Sequence, residues 1–378
     1  MRRESGDGSF LRRLNHVAIL RGLREAPSAT LAELARSAQI SRATAEGIME
    51  VLLRDGWAEE VLPGSSEGQR GRPARRFAFR AAAGHVAGVS IGGSGLIAMV
   101  ADLNGQLVSR VSVSVPADLP SGERLAEIVR LVGQAAAEAG LGAEELTAVG
   151  IGTTGVIDGE GRVVKSVVLA DWTGVPLQAE LAALLPVPVL VENDMRLAVL
   201  AEHWRGAARG RQDVIYLHTG SRIGLGLLFG GVPHRGSHAA AGELGGHPNS
   251  NWRAFHHVMD FAMSVDPGEL RAPSQAALFA LRLARAGDER AAEAVASFAT
   301  GLAEGLVTLV TPLDPELVVI GGSLAQAGEL VVGPIREYLA GACLCPPEVL
   351  PSELGADSVC LGAVRYTLNH AERLLFAS

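Results

Sequence analysis

Two arginine-bearing segments near the N-terminus carry the residue types that read nucleic acid. Ser41 stands where a helix would begin, with a hydroxyl able to accept from the free amides of a first turn. Arg42 and Thr44 then fall in that turn, facing away from Ala45, Ile48 and Leu52. Arginine takes guanine bidentately, and threonine reaches a phosphate or the thymine methyl. Glu46 has two readings, an acceptor for cytosine N4 or a solvated helix residue. Further on, Arg70-Gly71-Arg72-Pro73 places two guanidinium groups around a close-approaching glycine and a stiffening proline. Such a segment suits the narrow A·T minor groove, whose negative potential attracts arginine. Arg75 and Arg76 add charge against phosphates. Each feature alone also fits a small helical bundle with an arginine-rich loop; their order favours DNA binding.

The elements that must position these residues can be read from the same stretch. Leu11, Leu14 and Ala18 form one stripe of an amphipathic helix that Pro27 ends. Thr30-Leu-Ala-Glu33 is a capping box that opens a short helix, Leu31 to Ser37. A turn through Ala38, Gln39 and Ile40 leads to Ser41 as the second N-cap, and Gly56 sits where a C′ glycine belongs. Two helices across a three-residue turn, with a third before them, are the layout of a helix-turn-helix. The strand-like runs Trp57–Leu62 and Arg75–Arg80 flank the basic loop as a wing. The expectation is a winged helix-turn-helix domain over 1–80. Charge agrees: residues 1–80 hold 14 arginines against 10 acids, a net of +4, while the whole chain is −8, leaving −12 on the rest.

Composition bounds that remainder. With 48 % hydrophobic and 20 % charged residues in 378, global disorder is excluded. The 46 glycines, low aromatic content and short Val/Ile/Leu runs favour an α/β fold over a β-sandwich. After a linker at Ala81–Gly84, strand patterns at Val86–Ser90, Leu96–Asp102 and Leu107–Val115 precede a helix (Gly122–Gly140) and a strand (Ala148–Gly152). A helix (Pro176–Leu185) and strands at Val187–Glu192, Val214–His218, Gly224–Phe229 and Leu317–Ile320 follow, with Ala-rich helices over 274–310 and a helix over 331–340. Cys343, Cys345 and Cys360 are too few and too clustered for a disulfide framework. No window of 18 uninterrupted apolar residues implies no membrane span, and no apolar stretch follows the N-terminal arginines as in a signal peptide. A cytoplasmic protein is expected.

A series of short segments along this second region carries a resemblance. They are Gly88-Val-Ser-Ile-Gly-Gly-Ser94, Asp102-Leu-Asn-Gly105, Trp172-Thr-Gly-Val-Pro-Leu177, Val191-Glu-Asn-Asp194, Gly220-Ser-Arg-Ile-Gly-Leu-Gly226, Ala241-Gly-Glu-Leu-Gly-Gly-His247, Asp314-Pro-Glu-Leu-Val-Val-Ile-Gly-Gly322 and Leu361-Gly-Ala363. In this order they resemble the transcriptional regulators of the ROK family, which also contains sugar kinases; the likeness covers roughly 10–370. It implies a two-lobed, actin-like ATPase fold over 85–378, with a hinge near 194 and a ligand between the lobes. It also implies an effector site at Asn193, Asp194, Glu243 and His247. The histidine comes one residue late, so either the loop bulges or Gly246 takes its place. Asp266 stands for a second family carboxylate, and Val168 stands where an asparagine is expected. Kinase members carry an acid before the first glycine loop and a threonine within it; here these are Ser90 and Ser94, which removes metal-linked charge neutralisation. The middle glycine of the second loop is Arg222, whose bulk would intrude on a phosphate, although arginine also binds phosphate. Asp194 matches the family's catalytic base, but could equally hydrogen-bond a sugar.

Many family members hold a structural zinc through that histidine and a cysteine cluster; here 248–265 contains no cysteine. Five histidines fall between 234 and 257, and a metal site through His247, His256 and His257 competes with the reading, favoured here, of surface or core histidines. Cys343 and Cys345 are treated as core or loop thiols. Trp172 and Trp204 could stack on a sugar, but read better as packing anchors. Three functions follow. The favoured one is a regulator, not an enzyme and without a cofactor or metal, that represses carbohydrate genes. It would bind a double-stranded DNA operator as a homodimer or homotetramer and respond to a sugar effector. The others are a DNA-binding protein with an effector-free scaffold, and a sugar kinase with an added head.

Overall fold

The computed structural model describes residues 7–61, 74–219, 223–244, 252, 254–268 and 272–377. The head comprises α1 (Asp7–Glu25), β1 (Ala29–Thr30), α2 (Leu31–Ser37), α3 (Arg42–Arg54), β2 (Ala58–Val61) and β3 (Arg76–Phe79). The capping box forms: Glu33 N–H donates to Thr30 Oγ1 at 3.3 Å, and Thr30 N–H donates back to Glu33 Oε2 at 2.7 Å. Gln39 takes φ 55° in the turn between α2 and α3, and Gly56 takes φ 80° just past the end of α3. The small sheet runs β1-β3-β2, antiparallel throughout. Leu34, Ala45, Ile48, Leu52 and Phe77 form its core with Ile19, Leu20 and Leu23 of α1. The expected α1 stripe is corrected here. Leu14 is half exposed, and the buried face lies further along, where Ile19 and Leu23 share one side at i, i+4.

The first lobe follows with β4 (His85–Ile91), β5 (Gly95–Asp102), β6 (Leu107–Ser114), α4 (Ser121–Glu138), β7 (Leu146–Thr153), β8 (Val156–Ile157), β9 (Val163–Lys165), α5 (Leu177–Leu184) and β10 (Val189–Asn193). Its sheet is ordered β10-β7-β4-β5-β6, an antiparallel meander of three joined to two parallel strands. Then α6 (Asp194–Arg205) leads into β11 (Val214–Thr219), β12 (Ile223–Phe229), β13 (Val232–Pro233), α7 (Phe255–Val265), α8 (Pro273–Arg285), α9 (Glu289–Leu313), β14 (Leu317–Gly321), α10 (Glu329–Ala342), β15 (Glu348–Pro351) and α11 (Ser358–Ala377). The second sheet, β13-β12-β11-β14-β15, repeats the plan of the first: three antiparallel strands, then two parallel ones. The body is therefore two topologically equivalent lobes.

Each lobe has its own core. Val89, Ile91, Ala98 and Val100 pack with Ile128, Leu131 and Val132 of α4 in the first. Leu217 and Ile320 pack with Phe298, Leu302 and Leu306 of α9 in the second. The helix α9 is long and apolar enough to cross a membrane, yet Val295, Phe298, Leu302, Leu306 and Val310 put one face into this core. Finally α11 returns to pack on β4 and α6. The approach is close enough that a Cβ on Gly362 would stand 1.9 Å from Leu197 O, so only glycine fits there.

Candidate functional site

At the head, Ser41 caps α3: its Oγ accepts from Thr44 N–H at 3.1 Å and shares a hydrogen bond with Thr44 Oγ1 at 2.8 Å. Ser41, Arg42, Thr44 and Glu46 are all exposed, on the side opposite the buried Ala45, Ile48 and Leu52. Arg42 has no hydrogen-bond or ion-pair partner among the described residues, so its fork of donors stays free for an acceptor outside the chain. Thr44 is less free than expected, because its hydroxyl is already tied to the cap.

The wing arginines divide. Arg70 and Arg72 lie outside the described residues. Arg75, expected to neutralise phosphate, pairs with Glu60 on the adjacent strand through Nε at 2.8 Å and Nη2 at 2.7 Å. That pair is exposed and screened by solvent, so a phosphate can compete for it. Arg76 turns inward: Nε donates to Ser28 Oγ at 2.9 Å and Nη2 to Ser28 O at 2.7 Å, which anchors β3 to the chain entering α2. The head seats on the body through Trp57 and Phe79, which pack with Val86, Met99, Leu103, Leu361 and Leu368.

In the body, β10 ends at Asn193, the N-cap of α6. Its Oδ1 accepts from Met195 N–H at 2.9 Å and Arg196 N–H at 3.1 Å, while its Nδ2 donates to Gly155 O at 3.0 Å. Asn193 is buried and thus engaged in holding the chain. Asp194, next to it, is only partly exposed, and its Oδ1 accepts from Met195 N–H at 2.9 Å. Desolvation pushes its carboxyl up to about 7, and the nearby Glu243 carboxylate adds to the rise. Glu243 itself is raised by desolvation, against the pull of Arg196, although the residue as a whole remains exposed. Asp194 and Glu243 are therefore brought together. His247 lies outside the described residues.

An ionic triad, buried at Glu192 and Arg196 and part-exposed at Arg235, fixes this corner. Arg196 Nε donates to Glu192 Oε1 at 2.7 Å, and Glu192 Oε2 lies 3.0 Å from Arg235 Nε. Arg196 Nη1 reaches across to Ala239 O at 3.0 Å, so the loop that carries Glu243 is tied to α6. Arg196 is 2 % exposed and Glu192 6 %, and breaking such a pair costs about 3–5 kcal/mol. Sequence reasoning missed this triad. The i, i+4 spacing of Glu192 and Arg196 across a strand-to-helix junction was its only local signal. β12 backs the corner closely: a Cβ on Gly226 would stand 2.3 Å from Met195 O, so this glycine lets α6 lie against the sheet. Of the tryptophans, Trp172 is fully buried and donates Nε1 to Thr153 Oγ1 at 2.9 Å, a packing anchor; Trp204 is half-buried. Val168 packs at the β4–β5 turn, where a Cβ on Gly93 would meet its Cγ1 at 3.3 Å. Asp266 ends α7, its N–H bonded to Ala262 O at 2.9 Å.

The ROK family model matches residues 86–257 and 261–369. The chain belongs to the ROK family. A model of the IclR helix-turn-helix domain matches 15–61, the stretch that holds α2 and α3. The xylose repressor of Bacillus subtilis is 22 % identical, over 96 % of this chain and 97 % of its own length. The glucokinase of Thermotoga maritima is 28 % identical, over 73 % of this chain and 95 % of its own length. Among solved structures, a ROK family transcriptional regulator, homolog of the E. coli MLC protein, superposes with a TM-score of 0.76 over 97 % of this chain and all of its own, at 17 % identity. A ROK glucokinase from Streptomyces griseus, in complex with glucose and AMPPNP, gives 0.64 over 75 % of this chain and 99 % of its own, at 26 % identity.

Two groups that ROK proteins use can be tested against these residues. For nucleotide and its magnesium, the β4–β5 hairpin closes tightly, Gly92 N–H donating to Gly95 O at 2.9 Å, and offers Ser90 and Ser94 rather than a carboxylate. The donor set does not fit a divalent cation. For the structural zinc, no group of three or more His, Cys, Asp or Glu side chains is placed to hold a metal among the described residues. His256 and His257 stack on each other, with ring centroids 3.8 Å apart.

Proposed function

We propose that the protein is a DNA-binding regulator whose α3 reads a half-site and whose body binds a sugar or sugar derivative between its lobes. The observation that carries this is the pairing of an exposed Arg42, without a partner among the described residues, at the N-terminus of a helix-turn-helix α3 with a ROK body over 86–369. A repressor of carbohydrate genes is the role the likeness to xylose repressors supports. Asp194 and Glu243 would accept from the hydroxyls of the effector, and Asn193 and the Glu192–Arg196–Arg235 triad would hold them in place. Release of DNA would follow from the difference in effector affinity between two arrangements of the lobes. One helix-turn-helix reads only a half-site, so a homodimer or larger assembly would bind a palindromic operator.

The test is a gel-shift titration at fixed salt on the DNA upstream of the protein's own gene, with a panel of neutral sugars. The reading expects specific binding that one sugar releases. Specific binding that no sugar alters would favour an effector-free scaffold. A second reading, an ATP-dependent sugar kinase, draws on one observation: Asp194, at about 7, is suited to general-base work. A coupled assay with ATP and hexoses separates the two. Turnover that vanishes in Asp194→Asn would establish the kinase and overturn the regulator as sole function.

A further inference from the structure

The seam between head and body holds a crevice of about 900 Å³. Arg21 and Arg24 of α1, Trp204 at the end of α6, and Arg365, Glu372 and Arg373 of α11 line it. Its charges do not balance. Glu372 alone accepts from both Arg24, at 3.0 Å, and Arg365, at 3.2 Å. Arg373 is exposed and has no ion-pair partner among the described residues. Arg205 lies over Trp204, its Cζ 3.8 Å from the ring centroid, with no carboxylate at ion-pair distance among the described residues. Asp102 is its nearest acidic neighbour, but the Oδ1 of that residue accepts from Asn104 N–H and Gln106 N–H to close the β5–β6 turn. Glu25 is the one other carboxylate on the wall. Crowding of cations shows in the titration of the neighbours: burial and the Arg365 charge lower His203, and burial and Arg373 lower His370.

Guanidinium forks match phosphoryl oxygens bidentately, and arginine is the side chain most suited to desolvated phosphate. We propose that this crevice binds a small phosphorylated metabolite, its phosphoryl group held by Arg24, Arg365 and Arg373 in place of Glu372. Trp204 gives an aromatic wall for the rest of such a molecule. The site is separate from the effector corner at Asp194. It also straddles the joint: Arg24 belongs to the head, and its Nη2 donates to Leu103 O of the body at 2.9 Å as well as pairing with Glu372. An anion that takes Arg24 and Arg365 from Glu372 removes one of the ties that seat the head. That consequence, unlike the binding itself, rests on the head being the DNA reader.

The test is isothermal titration of the full chain, without DNA, using inorganic pyrophosphate and glucose 6-phosphate as probes. Saturable binding of both is expected. Arg373→Gln should weaken it about tenfold, the loss of one charge-assisted hydrogen bond. Glu372→Gln should strengthen it several-fold, because the competing carboxylate is gone. Arg130→Gln, on the exposed face of α4, should change nothing. Tighter binding of the sugar phosphate identifies an organic phosphate as the ligand; equal binding identifies the bare phosphoryl group. No saturable binding, or an equal response to Arg373→Gln and Glu372→Gln, overturns the proposal. If binding is absent and Arg373→Gln instead weakens the gel shift, the crevice is a DNA-backbone contact.

Discussion

The exposed face of α3, the proposed reader of DNA, and the corner at Asp194 handle polar groups in opposite ways. On α3, Ser41, Arg42, Thr44 and Glu46 stand in water, and Arg42 has no partner among the described residues. At the corner, Glu192, Asn193 and Arg196 are buried and multiply bonded, and Asp194 is pushed far from its ordinary titration. A surface that reads DNA must keep its donors wet until the duplex arrives, because the duplex supplies the acceptors. A small-ligand pocket must hold its groups in place beforehand, because the ligand is too small to order them. Substitutions should therefore separate: changes on α3 alter DNA affinity with little effect on folding, and changes at the corner alter both.

The largest effect should come from Arg196→Ala. It leaves Glu192 buried without its main partner, and urea denaturation should show a loss of about 3–5 kcal/mol. The double replacement Glu192→Gln, Arg196→Met should lose less than Arg196→Ala alone. A loss under about 1 kcal/mol for the single variant would mean that the triad is wet, and the contrast with α3 would collapse. Asp194 gives the next test. The folded chain keeps its proton up to about pH 7, whereas the ordinary value is 3.8. The folded state thus binds more protons across that window. The contribution of this group to stability is complete below the lower value and is lost as pH rises toward the upper one. Thermal melts between pH 5 and pH 8 should fall more steeply with pH in the wild type than in Asp194→Asn. Parallel curves would remove the shifted carboxyl from the picture.

What could be read from the sequence depended on how far apart the partners lie. The capping box of Thr30 and Glu33, the Ser41 cap and Gly56 span a few residues each, so local chemistry announces them. The helix α6 is buried without a break from Arg196 to Glu202, which erases the stripe that marks an amphipathic helix. α11 is packed on most sides in the same way, and neither helix could be seen in the pattern. Arg75 looked like a free cation because Glu60 reaches it only once β2 and β3 pair, 15 residues apart. The family motif pointed to Asn193 as an effector contact, but only the fold shows its amide capping α6. Arg235 and Ala239, far along the chain from Arg196, left no local signal.

The two smallest effects lie on α3 and sharpen the contrast from its other side. Arg42→Ala should weaken binding to a specific site by about 1–3 kcal/mol if the guanidinium contacts a base edge. Its unfolding free energy should stay within about 0.5 kcal/mol of wild type, as for an exposed residue away from caps and cores. Ser41→Ala differs in kind. It removes the acceptor for Thr44 N–H and frees the Thr44 hydroxyl, so it should cost about 1 kcal/mol of stability. Ser41→Asp keeps a capping acceptor but places a negative charge beside the duplex. It should restore the stability that alanine loses while weakening DNA binding further, with a loss that shrinks as salt rises. If Ser41→Asp binds DNA as well as wild type, the N-terminus of α3 does not face the phosphates, and the reading face must be sought elsewhere on the head.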